Sequence, residues 1–481
     1  MRKIVLPLAS VALVVLSSLS VSGSIPEDAQ KLSAKPNIVF ILTDDMRKDD
    51  LKYMPKTRSV LKAKGMSFSN AFVSNALCCP SRATILRGQY AHNTGVWTNK
   101  NISGRPAGGQ AYRNKGNEKD NVATRLDEAG YRTALIGRYL GGIKNKTFVP
   151  PGWDYWFSTW GGYLRYDAND QGTIRHFGPK ASAYRTDVER RKTRMFIGKS
   201  VARGKPFFAY VAPKAPHPPS IPPPRDRHAY DGLKAPRLSS FNERNVSDKP
   251  PWIRKLPRLN DVKKAKIDSH AEKRAESLQA VDDLVAGVVD TLNNANAMSN
   301  TYIFFTSDNG WHYGEHRIPA KKARPYEEDV RIPLLVRGPS IPAGHQAHKL
   351  VLNTDYLPTF TDLACPSSSP CNTQNYSYVP DGRSLRPVLK RNATAWRSAV
   401  LLEAHHTPEG GATPAYSGIR TSSTKYVEYA GGKRELYFLG QDPYELRNKY
   451  PSAKPSARLV HRLQALRTCA GVGCRAAENR Q

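Results

Sequence analysis

Four stretches of this 481-residue chain bring reactive side chains together at spacings that chemistry could use. The densest is Leu77-Cys78-Cys79-Pro80-Ser81-Arg82-Ala83-Thr84-Ile85-Leu86-Arg87-Gly88, with a thiol, a hydroxyl and a guanidinium inside five residues. Pro80 fixes its own φ and suits the first turn of a helix. A helix starting there aims free N–H groups and a positive dipole end at residues 78 and 79, a seat for an anionic group. The same residues also fit a buried cysteine pair, or a vicinal disulfide, opening an ordinary helix. Two further stretches are acidic: Thr43-Asp44-Asp45 and Ser307-Asp308-Asn309-Gly310. Alone, Asp44-Asp45 reads equally as a polar turn or a helix N-cap. Two such sites at separate strand ends are much harder to explain as turns, and paired hard oxygen donors suit Ca²⁺ or Mg²⁺. The fourth stretch is Ala215-Pro216-His217-Pro218-Pro219, a histidine held between prolines.

The elements that must position these groups are legible as apolar patterns. Asn37-Ile38-Val39-Phe40-Ile41-Leu42 is a continuous run that predicts a strand buried on both faces of a parallel sheet. Carboxylates just past such a strand sit where open α/β sheets bind ligands. Val122, Leu126 and Ala129 have helical spacing, stopped by Gly130, and residues 131–137 predict the strand that delivers Arg138. Phe207-Phe208-Ala209-Tyr210-Val211 predicts the strand ahead of His217, a loop position suited to chemistry. Leu278, Val281, Leu284, Val285, Val288 and Leu292 predict an amphipathic helix, followed by a strand over 302–306. Residues 222–273, rich in proline and basic residues, predict a long surface insertion near the substrate entrance.

Cys78, Pro80, Ser81 and Arg82 resemble the Cys-x-Pro-Ser-Arg signature of the type I sulfatases, with Cys79 at the variable position. Pro216-His217-x-Pro219 resembles that family's next block. Gly314-Glu315-His316, and Lys322 ahead of Tyr326-Glu327, resemble a further one; Lys321 is the fallback for the lysine. Gly137-Arg138-Tyr139-Leu140 departs from the common Gly-Lys-x-His pattern twice, and its leucine is similar to the N-acetylglucosamine-6-sulfatase branch. The likeness spans residues 35 to 450 in the family's order. It implies an alkaline-phosphatase-like α/β fold: a mixed, mostly parallel sheet flanked by helices, with a smaller C-terminal α+β subdomain containing an antiparallel sheet. It implies that Cys78 is oxidised to formylglycine (3-oxoalanine) by a formylglycine-generating enzyme. The hydrated aldehyde would then attack a sulfate monoester, and its second hydroxyl would expel sulfate. It implies one divalent cation, Ca²⁺ or Mg²⁺, on Asp44, Asp45, Cys78, Asp308 and Asn309. Arg82, Arg138 and Lys322 would hold the sulfuryl oxygens, and His217 would protonate the leaving oxygen.

Lys+Arg number 73 against 41 Asp+Glu, a formal net charge of +32, which favours polyanionic partners or simply a solvated basic surface. No nucleic-acid-binding motif accompanies the charge. Residues 1–24 carry a signal-peptide pattern: Arg2 and Lys3, an apolar stretch, then Ser20, Ser22, Gly23 and Ser24. No later run is apolar enough to span a bilayer, so an exported protein is expected. Cys365 with Cys371, and Cys469 with Cys474, read as local disulfide staples. Asn-x-Ser/Thr sites occur at Asn101, Asn145, Asn245, Asn375 and Asn392. The chain divides into a catalytic domain over 35–345 and a smaller subdomain over 346–481. The expected activity is hydrolysis of a sulfated glycan such as N-acetylglucosamine 6-sulfate. The alternatives are an arylsulfatase, a phosphate ester hydrolase on the same fold, and an inactive secreted polyanion-binding protein.

Overall fold

The sheet is built outward from β1, Asn37–Thr43, which is buried along its whole length. In the computed structural model, which describes Met1 and residues 35–102, 104–365 and 376–479, its side chains alternate between two core layers. Ile38, Phe40 and Leu42 enter one, and Val39 and Ile41 enter the other. That is the period of two expected of a strand covered on both faces.

Among the described residues, ten strands make the main sheet. Besides β1 they are β2 (Met66–Phe68), β4 (Arg132–Gly137), β5 (Tyr155–Gly161), β6 (Tyr166–Asp170), β7 (Thr173–Phe177), β8 (Phe207–Ala212), β9 (Thr301–Ser307), β10 (Leu334–Arg337) and β11 (His345–Ala347). The strand β3 (Ala71–Phe72) lies outside it, paired with β12 (Val351–Leu352). The order is β11-β2-β10-β9-β1-β8-β4-β5-β6-β7. The middle five, from β9 to β5, are parallel, so their C-terminal ends share one edge. Helices α1 (Cys78–Arg87), α2 (Val122–Glu128) and α5 (Tyr356–Ala364) cover one face through Leu86, Leu126 and Phe360. Helices α3 (Arg185–Val201) and α4 (Asp261–Asn294) cover the other through Phe196, Leu278, Val281 and Val285. A separate four-stranded antiparallel sheet follows: β13 (Ala399–Ala404), β14 (Tyr416–Thr421), β15 (Thr424–Tyr429) and β16 (Arg434–Phe438). Then come α6 (Ala457–Arg467) and a further helix, α7 (Val472–Asn479).

The stretch 222–273 differs from a plain loop. Helix α4 begins at Asp261, where the Asn260 side chain accepts from the Lys263 N–H. Good helix formers such as Lys263, Lys264, Ala265 and Lys266 follow the last proline, Pro257, so helix wins there. The part before Asp261 carries its own small core, in which Ala235 and Leu259 meet Trp311 and Tyr313. Cys469 and Cys474 form a disulfide. Cys78 and Cys79 are buried free thiols, which removes the vicinal disulfide. Asn101, Asn145, Asn245 and Asn392 are exposed. Residues 2–24, Cys371 and Asn375 lie outside the described residues. Among the described residues no helix is long and apolar enough to cross a membrane.

Candidate active site

Parallel register brings the acidic strand ends together. Thr43 of β1 pairs with Ser307 of β9, so Asp44 and Asp308, each one residue on, leave the sheet side by side. The Asp45 N–H donates to Asp308 Oδ1 at 3.1 Å, which ties the two turns. Asp45 has φ 67°, a left-handed conformation that aspartate tolerates better than most residues. On the other side, Gly137 of β4 pairs with Ala212 of β8. A Cβ on Gly137 would lie 2.2 Å from Ala212 O, so glycine is what lets the chain turn and deliver Arg138. Gly310 plays the same part after Asn309, where a Cβ would fall 2.0 Å from Glu328 O.

Helix α1 supplies the other wall. Cys78 is its first residue and Arg82 lies one turn on, so both face the strand ends. Cys78 Sγ is 3.3 Å from Asp44 Oδ1, 3.8 Å from Asp45 Oδ1 and 2.7 Å from Lys322 Nζ. Arg82 Nε donates to Asp308 Oδ2 at 2.7 Å, and its Nη1 to Arg138 O at 2.7 Å. Arg138 pairs with Asp44 and Lys322 with Asp45. Lys321, by contrast, is exposed and lines the mouth. His217 Nε2 stands 3.8 Å from Asp45 Oδ2. Its Nδ1 donates to Pro218 O at 2.7 Å, which leaves Nε2 without a proton in the neutral ring. Arg138 and His217 are the members that reach solvent, at 24% and 27% side-chain exposure.

The charges are strongly coupled. Burial pushes Asp44 up, but Arg138, His217, Arg82 and Lys322 together outweigh it and hold its carboxyl well below the usual range. Burial and the neighbouring Asp44 lift Asp308 to about 6. Burial pulls His217 down to about 4. Burial, with Asp44 beside it, raises the Cys78 thiol well above its ordinary value. Cys78 is therefore a protonated thiol, a poor nucleophile as it stands.

The cluster fits a hard divalent cation. One atom each from Asp44, Asp45, Cys78 and Asp308 lies within 4.8 Å of the others. Among the described residues, the buried Asp45 Oδ2 and Asn309 Oδ1 have no hydrogen-bond partner. Orphaned oxygens in a fully buried acidic nest are what a bound Ca²⁺ or Mg²⁺ satisfies.

Sequence reasoning missed the support beneath this cluster. Arg274 Nη2 donates to Asp45 O at 2.6 Å and Asp50 Oδ2 at 2.9 Å, and its Nη1 to Pro216 O at 3.2 Å. One guanidinium thus ties the turn carrying Asp45 to the loop carrying His217. It also missed Asn99, whose Oδ1 accepts from the Cys79 N–H at 2.8 Å. Arg274 reads in the sequence as one more basic residue after Lys273, so no signal could have found it.

This sheet, with its acidic strand ends and its separate antiparallel sheet, defines an alkaline-phosphatase-like α/β protein. A protein solved in complex with its substrate D-glucosamine-2-N,6-O-disulfate superposes with a TM-score of 0.74 at 23% identity, covering 93% of this chain and 100% of that one. Phosphonate monoester hydrolase of Agrobacterium radiobacter does so with 0.69 at 21%, covering 92% and 96%. The sulfatase family matches residues 36–366, and "N-sulphoglucosamine sulphohydrolase, C-terminal" matches 314–468. N-acetylglucosamine-6-sulfatase of Capra hircus is 32% identical over 506 residues, covering 95% of this chain and 87% of that protein. Arylsulfatase of Volvox carteri is 32% identical, covering 92% and 76%. An extracellular sulfatase Sulf-1 homolog of Caenorhabditis elegans is also 32% identical, and the chain spans 54% of its length. The chain belongs to the sulfatase family and is a sulfuric ester hydrolase.

Proposed function

We propose that this protein releases sulfate from a sulfated glycan, of the N-acetylglucosamine 6-sulfate type, using a formylglycine made from Cys78. The observation that carries the reading is the position of Cys78 Sγ, against Asp44, Asp45 and Lys322 at the floor of a buried acidic nest. The thiol sulfur stands where the oxygens of the hydrated aldehyde would be. The goat relative's name supports the sugar. The signal-peptide pattern of residues 1–24 supports export, and a formylglycine-generating enzyme is the maturation partner.

Asp44, Asp45, Asp308 and Asn309 would hold the cation, which would supply positive charge to the sulfuryl oxygens, and an aldehyde hydrate at residue 78 would supply one hydroxyl to attack sulfur and a second whose deprotonation would expel sulfate. The chain's own residues do the rest. Lys322 and Arg138 supply fixed positive charge on two sides of residue 78, without reorganisation during the reaction. Arg82 holds Asp308 in place and keeps helix α1 against the strand ends. His217 offers a bare Nε2 toward the same spot. It must take up a proton before it can protonate the leaving oxygen, and an anionic ester beside it raises its proton affinity.

The test is sulfate release from N-acetylglucosamine 6-sulfate, an aryl sulfate and an aryl phosphate, side by side, with peptide mass at position 78. The expected result is sulfate release by protein carrying the aldehyde, and none from Cys78→Ala with folding retained. An unmodified thiol in fully active protein overturns the mechanism. Faster cleavage of the phosphate selects the phosphate ester alternative.

A further inference from the structure

A second cavity, of about 240 Å³, opens beside the sulfate seat between the ends of β4, β5 and β8. It shares Arg138, Gly141 and His217 with the active-site mouth, a cavity of about 470 Å³. The smaller volume lies below the ~300 Å³ at which whole-ligand pockets begin, so it suits one substituent of a ligand held in the mouth.

Its lining has a single sign. Arg138, Lys146, Arg185 and Lys214 contribute, and among the described residues no carboxylate does. Arg138 is paired with Asp44 and Arg185 with Glu189. Lys214 Nζ donates to a neutral acceptor, Gly161 O, at 2.6 Å, and Lys146 Nζ lies 5.5 Å from the Trp160 ring centroid. Tyr139 and Trp156 also line it, and among the described residues their buried Oη and Nε1 atoms have no hydrogen-bond partner. The tryptophan N–H can only donate, and the phenol can do so too. Burial, with Arg185 and Arg138 acting the same way, outweighs the pull of Asp44 and Asp45 and brings Lys214 down to about 8. Unpaired cations and idle donors in a site this small call for an oxyanion.

We propose that this cavity is a subsite for a second anionic group of the substrate, a sulfate on the same sugar or the carboxylate of a neighbouring uronic acid, held by Lys214 and Lys146. This rests on the glycan sulfatase reading and narrows it to esters carrying an additional negative charge next to the scissile one.

Binding is measured by calorimetry on the full Cys78→Ala chain, which does not turn substrate over. The ligands are N-acetylglucosamine 6-sulfate, glucosamine 2-N,6-O-disulfate and a uronate-linked N-acetylglucosamine 6-sulfate disaccharide. At least one dianion should bind about tenfold tighter than the monosulfate, the order of one charge-assisted hydrogen bond. The one that does identifies the source of the charge. Lys214→Met should erase that advantage and Lys214→Arg should keep it; Lys146→Met, at an exposed position, should reduce it. No preference for either dianion, or a preference surviving both methionine variants, overturns the proposal. Failure of the unmutated enzyme to release sulfate, with the dianion preference intact, counts against the hydrolase reading alone.

Discussion

Replacing Arg274 with methionine removes the post on which both halves of the active site lean. The guanidinium is 0% exposed. It donates to Asp45 O, Pro216 O, Asp50 Oδ2 and Tyr313 Oη, at 2.6, 3.2, 2.9 and 2.6 Å. Methionine keeps much of the volume but leaves the buried Asp50 carboxylate leaning on the Arg47 N–H at 3.2 Å. Breaking a buried ion pair from one side costs about 3–5 kcal/mol, against a native stability of about 5–15 kcal/mol. Asp50 has one escape, which is to protonate. Burial already holds its carboxyl above the ordinary range while Arg274 pulls it down, so losing Arg274 lifts it further. The folded variant then binds that proton more tightly than the unfolded chain does. Its stability is greatest below the ordinary carboxylate range and falls as pH climbs through the raised value. The deficit relative to the parent should therefore widen with pH. Urea unfolding at about pH 5 and about pH 8 reads this directly. The expected deficit is about 3 kcal/mol or more at the higher pH and smaller at the lower. A deficit under about 1 kcal/mol, the size of an ordinary substitution, or one that narrows as pH rises, refutes the role given to Arg274.

Cation loading should raise the melting temperature, since a ligand at 100 times its Kd adds about 2.7 kcal/mol. Asn309→Leu should shrink the rise seen on adding Ca²⁺ to chelator-treated protein; an undiminished rise removes Asn309 from the ligand set. His217→Gln should slow release from an alkyl sulfate by about 10²–10⁴ and from a nitrophenyl sulfate far less, because that leaving group departs without a proton. Equal losses on the two substrates would show that His217 does not serve the leaving oxygen.

Much of this arrangement is legible in the sequence, for a physical reason. A strand buried on both faces is a run of apolar residues, and whatever polar group ends it must sit on the sheet's functional edge. Thus Asp44, Asp45, Asp308, Asn309 and His217 stood out by position. The start of α1 at Cys78 was marked by Pro80, and that start puts Arg82 on the same face. The choice between Lys322 and Lys321 was harder, because adjacent side chains point apart whatever the backbone does. Only the path of residues 310–326 shows which one is buried. Arg274, Asn99 and Lys214 were invisible because what distinguishes each is its surroundings. Arg274 is a basic residue on a long helix until its contacts with Asp45 and Pro216 are seen. Helix α4 itself was legible in its apolar half, where Leu278 to Leu292 keep a period. Its first turns, polar around Lys263 and Lys266, carry propensity without a stripe.

The floor of the catalytic chamber holds Asp44, Asp45 and Asp308 in contact with Arg82, Arg138 and Lys322, three charges of each sign that cancel. A divalent visitor leaves that floor doubly positive, and an incoming anion restores neutrality. The two guests must tighten each other's hold by the same factor, because linkage is reciprocal. Free sulfate, with two charges, answers the excess better than the singly charged ester it came from. With such a cation bound, the inorganic product would be held more firmly than the ester it came from.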